Sequence, residues 1–276
     1  MGTRRQAERR RGLRAAVLLC ALWTGAASAQ QAAPASDEPE TREAAQAKAY
    51  ADCMSLARSD PDKAMGVAAK WEREGGDEAA RHCAAVALLN AGQYTEAARR
   101  LEALAATTQR PGKVLKAELY AQAGQAWLIA GDAERALAVQ SKALEIRGGN
   151  PELLIDRAIT LASLGKYWEA IDDLNAVIDI DSGRIDALIF RATAWRKLEN
   201  LDLALDDIGR VIALAPTQAD ALLERGIIRR LKGEEDAARA DWRRVVEVAP
   251  DSLAAQAARE NLSPPEAAPA AASKAK

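Results

Sequence analysis

One phenylalanine, four tyrosines and one histidine are spread over 276 residues, and these scarcities exclude several kinds of protein at once. Sheets are filled by β-branched and aromatic side chains, whereas the abundant alanine, leucine and arginine cost least in a helix, so an all-β domain is not expected. With His82 as the only histidine there is little scope for a histidine-based triad, and no fourth ligand completes a metal site. A glycine-rich phosphate loop is missing and the carboxylates lie at solvated helix spacing, so no enzyme, cofactor or metal is expected. Cysteine is limited to Cys20, Cys53 and Cys83.

What is present begins with an export signal. Arg4, Arg5, Arg9, Arg10, Arg11 and Arg14 form a basic start, and Ala15 to Ala26 a mostly apolar run. Ala27-Ser28-Ala29 then offers a small-x-small cleavage site before Gln30. That run is shorter than the ~20 residues a membrane span needs. An uncleaved anchor or an organellar transit peptide is the alternative. Leu19 before Cys20 departs from lipoprotein motifs, and no arginine pair is followed by the two apolar residues of twin-arginine signals, so the export route stays open. The expected location is periplasmic or secreted. Removing the signal takes six arginines and one glutamate and leaves a net charge of −7, which gives nucleic acid no strong attraction. In an oxidising compartment Cys53 and Cys83 are expected to pair, a bridge worth ~3 to 4 kcal/mol in the chain-entropy model; two buried thiols are the alternative.

The sequence repeats itself every 34 residues. In blocks starting at Ala117, Pro151, Ile185 and Ala219, the fourth residue is Tyr120, Leu154, Leu188 and Leu222. The eighth is small (Gly124, Ala158, Ala192, Gly226) and the twentieth is always alanine (Ala136, Ala170, Ala204, Ala238). Apolar pairs recur at positions 27 and 28, and Pro216 and Pro250 close two blocks. Gly92, Tyr94, Ala97 and Leu101 keep the phase in an earlier block from Glu78, which carries five extra residues around Arg110-Pro111-Gly112. Each block resembles the tetratricopeptide repeat, a helical hairpin with a small residue at position 8, alanine at 20 and a large apolar residue at 24. The resemblance implies an all-α, right-handed solenoid of stacked hairpins, since one hairpin cannot bury its apolar face alone. The expected organisation is a signal over 1–29, a disordered linker over 30–43, and a degenerate first repeat over 44–77. A repeat with an insertion follows over 78–116, then four in-phase repeats over 117–250, a capping helix over 251–262 and a disordered tail over 263–276. Trp127, Trp195 and Trp242 fall on core positions.

Two charges come and go together. Position 7 is Arg157, Arg191 and Arg225 where position 23 is Asp173, Asp207 and Asp241; elsewhere both charges are absent as a pair, as with Ala123 and Val139. Such covariation within one chain predicts structural ion pairs between the two helices of a hairpin, with a basic ladder for an acidic ligand as the alternative.

The family's inner-face positions, carried over, imply a peptide groove with an apolar strip of Ile155, Ile159, Ile189, Thr193, Leu223 and Ile227 and one candidate aromatic, Phe190. Arg196, Lys197 and Arg230 are expected to form a basic patch that takes an acidic segment. Glu118, Glu152, Asp186 and Asp220 form an acidic row that suits the first turn of a helix. Ile155 and Ile159 stand where chaperone-binding members carry a carboxylate clamp. The expected role is a scaffold or adaptor that binds a protein or peptide in the cell envelope, without membrane insertion after signal removal. The alternative is an accessory subunit that presents a glycan or peptide to an envelope enzyme.

Overall fold

The computed structural model describes residues 39–108 and 112–263, all of whose regular elements are helices. The export signal with its Ala29–Gln30 junction, most of the predicted linker and the tail beyond Ser263 lie outside the described residues. The helices are α1 Pro39–Ser59, α2 Pro61–Trp71, α3 Asp77–Asn90, α4 Tyr94–Thr107, α5 Lys113–Ile129, α6 Ala133–Ile146 and α7 Pro151–Ser163. They continue as α8 Tyr167–Ile180, α9 Ile185–Lys197, α10 Leu201–Leu214, α11 Ala219–Leu231, α12 Glu235–Val248 and α13 Leu253–Leu262. None is long and apolar enough to cross a membrane.

Local chemistry sets these bounds. Asp60, Asp132, Asn150 and Ser252 cap α2, α6, α7 and α13 by accepting a backbone N–H three residues on, and Pro61 and Pro151 occupy the first turn behind two of those caps. Between the helices of a hairpin the chain turns through the left-handed region, at Gly131, Gly165 and Gly233 with φ of 84°, 73° and 81°. The corresponding residue of the α9–α10 turn is Glu199, which takes φ 60° without the freedom of glycine. Two boundaries differ from expectation. The predicted linker 30–43 gives up its last residues to α1, which begins at Pro39, a residue suited to a first turn. The boundary expected between 116 and 117 falls inside α5, which begins at Lys113, about one turn before Ala117.

Within the unit spanning Ala44–Lys276, each helix from α2 onward packs on the next and the hairpins stack into a solenoid. The repeat positions explain how. Ala97, Ala136, Ala170, Ala204 and Ala238, all at position 20, are fully buried where two helices cross. Position 24 supplies the buried bulk, as Leu101, Leu174, Ile208 and Trp242, and position 8 of the partner helix makes room for it. In the hairpin α5–α6 position 24 is instead Gln140, buried, with its amide donating to the backbone carbonyl of Asp156 at 3.3 Å. The N-terminal cluster is poorer: Ala57, Ala64, Ala68, Ala84 and Ala87 surround Cys53 and Cys83, which are joined in a disulfide between α1 and α3.

Candidate functional site

The solenoid has two kinds of wall. Helices α5, α7, α9 and α11, the first of each hairpin, pack against one another from repeat to repeat as well as on their own partners. That closeness makes them the inner wall. Side chains at positions 2, 5, 6, 9, 12 and 13 of these helices share its face through their three- and four-residue spacing.

The repeated arginines do not join that face as free cations. Arg157 donates through Nε and Nη2 to both oxygens of Asp173 at 2.8 and 2.6 Å, Arg191 to Asp207 at 2.8 and 2.6 Å, and Arg225 to Asp241 at 2.9 and 2.6 Å. All three aspartates are buried. A fork-to-carboxylate bond of this kind fixes the angle between the two helices of a hairpin. Arg191 also donates to Asn175 Oδ1 at 2.7 Å, which ties the hairpin to the one before, and Arg229 adds a second arginine to Asp241 at 2.8 Å.

A second set of polar contacts links one inner helix to the next. His82 Nε2 donates to Gln122 Oε1 at 2.9 Å and its Nδ1 lies 2.8 Å from the Tyr50 hydroxyl. Gln125 donates to Asp156 at 2.9 Å, and Arg196 donates to Glu224 at 2.5 and 3.3 Å. In each, the residue at position 6 accepts from the preceding inner helix. Between α7 and α9 the pattern lapses: position 9 is Ile159, position 6 is Phe190, and the seam there is apolar. Phe190 is 37% exposed, Ile159 and Ile189 are half-buried against the core, and the hydroxyl of Thr193 is spent on the Ile189 carbonyl at 3.0 Å.

Measured against the groove expected from sequence, three residues change role. Ile155 is 7% exposed and belongs to the core, because α5 and α7 close over position 5. Arg196 is bound to Glu224 of the next repeat, so the expected basic patch loses its central charge. Arg230 lies 4.8 Å over the ring of Trp242 and covers the indole. Lys197 remains exposed, and Leu223 and Ile227 are half-buried against the C-terminal cluster. Trp127 and Trp242 are buried; Trp195 is half-buried, edge-on to the exposed Trp168 at 5.5 Å.

The acidic row is also partly neutralised. Arg184 bridges Glu152 at 3.2 Å and Asp186 at 2.7 Å, and Arg147 lies 3.9 Å from Glu118. The free N–H groups of the first turn of α7 and the bond from Arg184 hold the Glu152 carboxyl below its ordinary range. These inter-repeat contacts were missed from sequence, yet they leave a signal: donor and acceptor stand 28, 31 or 32 residues apart, close to one repeat length, and 40 apart for His82 and Gln122, which the insertion separates.

Away from this wall, a cleft of about 450 Å³ opens between α4 and α6, lined by Trp127, Val139, three alanines, Glu102, Arg99 and Arg135. Its charges are already matched: Arg135 stacks on Trp127 and pairs with Asp132, and Lys142 pairs with Glu102.

No family model and no curated protein matches the chain. Solved structures do. The chain is similar to MamA 41-end from Desulfovibrio magneticus RS-1, with 22% identity, 64% of this chain and 99% of that chain covered, and a TM-score of 0.56. It is similar to a tetratricopeptide repeat protein from Parabacteroides merdae ATCC 43184, with 20% identity, 64% and 69% coverage and a TM-score of 0.55. YrrB, described as a TPR protein with an unusual peptide-binding site, matches with 19% identity, 68% and 95% coverage and a TM-score of 0.50. At such identities the likeness shows the fold.

Proposed function

Starting from a solenoid with the tetratricopeptide-repeat fold, we propose that this chain is a non-enzymatic scaffold that holds an extended segment of another polypeptide along its inner wall. One observation carries this reading. The position-6 contacts that stitch the inner helices together lapse between α7 and α9, where Arg184 bridges Glu152 and Asp186 at the first turns and, further along, Ile159, Ile189 and Phe190 leave an apolar seam open to solvent. A phenylalanine so placed costs free energy in the isolated chain that a partner would recover by covering it. The unusual peptide-binding site of YrrB adds a precedent on this fold. A glycan-presenting role would ask for stacked rings in the groove, and the inner-wall positions supply Phe190 alone.

The reading includes the envelope as its place of action. It rests on the basic, apolar and small-residue order of residues 1–29 and on the Cys53–Cys83 bridge, which persists in oxidising compartments. The partner expected from sequence was acidic. With Arg196 paired to Glu224, that expectation loses its main support.

Peptides selected from a random display library on the protein provide the test. Ile189→Asp and Phe190→Ser are expected to weaken selected peptides at least about tenfold, the scale of losing one buried apolar anchor. Ile180→Asp, at the exposed end of α8, is expected to leave them unchanged. Equal binding by all three variants would remove the inner wall from the account.

A further inference from the structure

Lys197 and Asp220 stand exposed on the inner wall with no ion pair among the described residues, while the charges there that packing takes out of water are paired with one exception. Asp173, Asp207, Asp241 and Glu224 are the acids that packing takes most fully out of water, and each meets an arginine. Asp156 does not. It is half-buried on α7 and accepts from the neutral amide of Gln125, and among the described residues no lysine or arginine lies within ion-pair distance. Burial pushes its carboxyl above the ordinary range and Glu152, one turn back, pushes the same way, against the bond from Gln125. A carboxylate in that setting gains more from an arriving cation than one in water does, because the surrounding protein screens it less.

Its position says what kind of cation can arrive. Asp156 holds position 6 of α7, with Ile159 one turn further on the same face. Phe190 holds the same position one repeat later, on α9. Adjacent packed helices are ~8 to 10 Å apart and an extended chain advances ~3.3 Å per residue, so two to three residues span from one to the other. The acid therefore borders the apolar seam within reach of a single short peptide. Neighbouring arginines do not compete for it: Arg157, next in sequence, is bound to Asp173, and Arg184 is held between Glu152 and Asp186.

Resting on the reading of this wall as a peptide groove, we propose that Asp156 receives a lysine or arginine side chain of the bound segment while an apolar residue about two or three positions away covers Phe190, Ile159 and Ile189. The partner is thus a cationic-apolar peptide, the reverse of the acidic one that Arg196, Lys197 and Arg230 suggested from sequence. Gln125 acts as the positioning residue: its amide holds one carboxylate oxygen and leaves the other for the incoming ammonium or guanidinium.

The experiment uses the chain from Gln30 onward and an array of ten-residue peptides in an aliphatic-rich frame. One site carries lysine, norleucine or glutamate, and a leucine or phenylalanine stands two or three residues on. Lysine is expected to bind about tenfold better than norleucine, with glutamate weakest, as for one charge-assisted bond in a partly dry site. That preference should shrink as salt rises. In Asp156→Asn, which keeps the shape and the Gln125 contact, lysine and norleucine are expected to bind alike, and in Asp156→Lys the glutamate peptide should become the preferred one. Thermal unfolding of both variants separates loss of preference from loss of fold. Equal binding of lysine and norleucine peptides to the native protein, or an unchanged ratio in Asp156→Asn, overturns the proposal and leaves the groove standing. If no peptide of any charge binds while display selection also fails, the groove reading falls and the proposal with it.

Discussion

A methyl group on Gly226 would fall inside the indole of Trp242, 2.7 Å from Cδ1, on the facing helix of the same hairpin. The two residues stand at positions 8 and 24 of their repeat, and the largest residue at position 24 meets a position 8 with no side chain at all. Where position 24 is Leu174 or Ile208, position 8 is Ala158 or Ala192. Gly226→Ala is expected to destabilise the α11–α12 hairpin by ~1 to 3 kcal/mol, the range for overpacking a dense core. Calorimetry of Gly226→Ala alone and with Trp242→Leu checks it: the double variant should recover part of the loss.

The arginine–aspartate pairs give a second expectation. Arg191 and Asp207 have side chains 17% and 5% exposed, so truncating the acid strands a guanidinium that packing has already dried. Asp207→Ala should cost ~3 to 5 kcal/mol, against ~0 to 1 for a surface pair. Arg191→Leu with Asp207→Leu should regain much of it, since Ala123 and Val139 show the same positions filled without charge. A double-mutant cycle on thermal unfolding measures the coupling. If Asp207→Ala leaves unfolding unmoved but abolishes peptide binding, the ladder belongs to the binding surface.

Glu199 is a place where the sequence departs from its own rule. The other turns of the in-phase repeats use glycine at this point, and Glu199 holds φ 60° with a full side chain. Glu199→Gly is expected to stabilise the chain by ~1 kcal/mol, the order of the left-handed penalty, net of the entropy glycine adds to the unfolded state. A rise in melting temperature would support this. A fall would mean that the Glu199 side chain holds the turn by contacts worth more than the strain.

The disulfide should matter locally. The N-terminal cluster fully buries only alanines and the Cys53–Cys83 bridge that ties α1 to α3, with Met54, Leu56, Met65 and Trp71 partly buried against them, so loss of ~3 to 4 kcal/mol falls on a thin part of the core. Under reductant, or in Cys53→Ala with Cys83→Ala, hydrogen exchange is expected to speed up in α1 and α2 while α7 to α12 keep their protection. Uniform loosening of the whole chain would contradict it.

The architecture was legible because it repeats. Four in-phase copies of small, alanine and large apolar residues placed the hairpins, and the joint appearance of Arg157, Arg191 and Arg225 with their aspartates pointed to the paired positions. The groove was less legible. A position number says which helix face a residue shares but not whether the next helix covers it, as with Ile155, nor which charge one repeat away will claim it, as Glu224 claims Arg196. Those outcomes depend on how closely successive inner helices approach. The Arg110–Gly112 insertion shows the same limit, since the residues around it could extend a loop or a helix and α5 takes several of them.

The most direct test of the peptide groove places a photoreactive benzoylphenylalanine at position 190 and, in a separate variant, at position 180 on the outer helix α8. Both proteins are irradiated with a display-selected peptide, and the crosslinked residues are read by mass spectrometry. Strong crosslinking is expected from 190, suppressed by Ile189→Asp, and little from 180. Equal or stronger crosslinking from 180 would mean that the partner does not lie on the inner wall, and that the chain is not a groove-binding scaffold of the kind proposed.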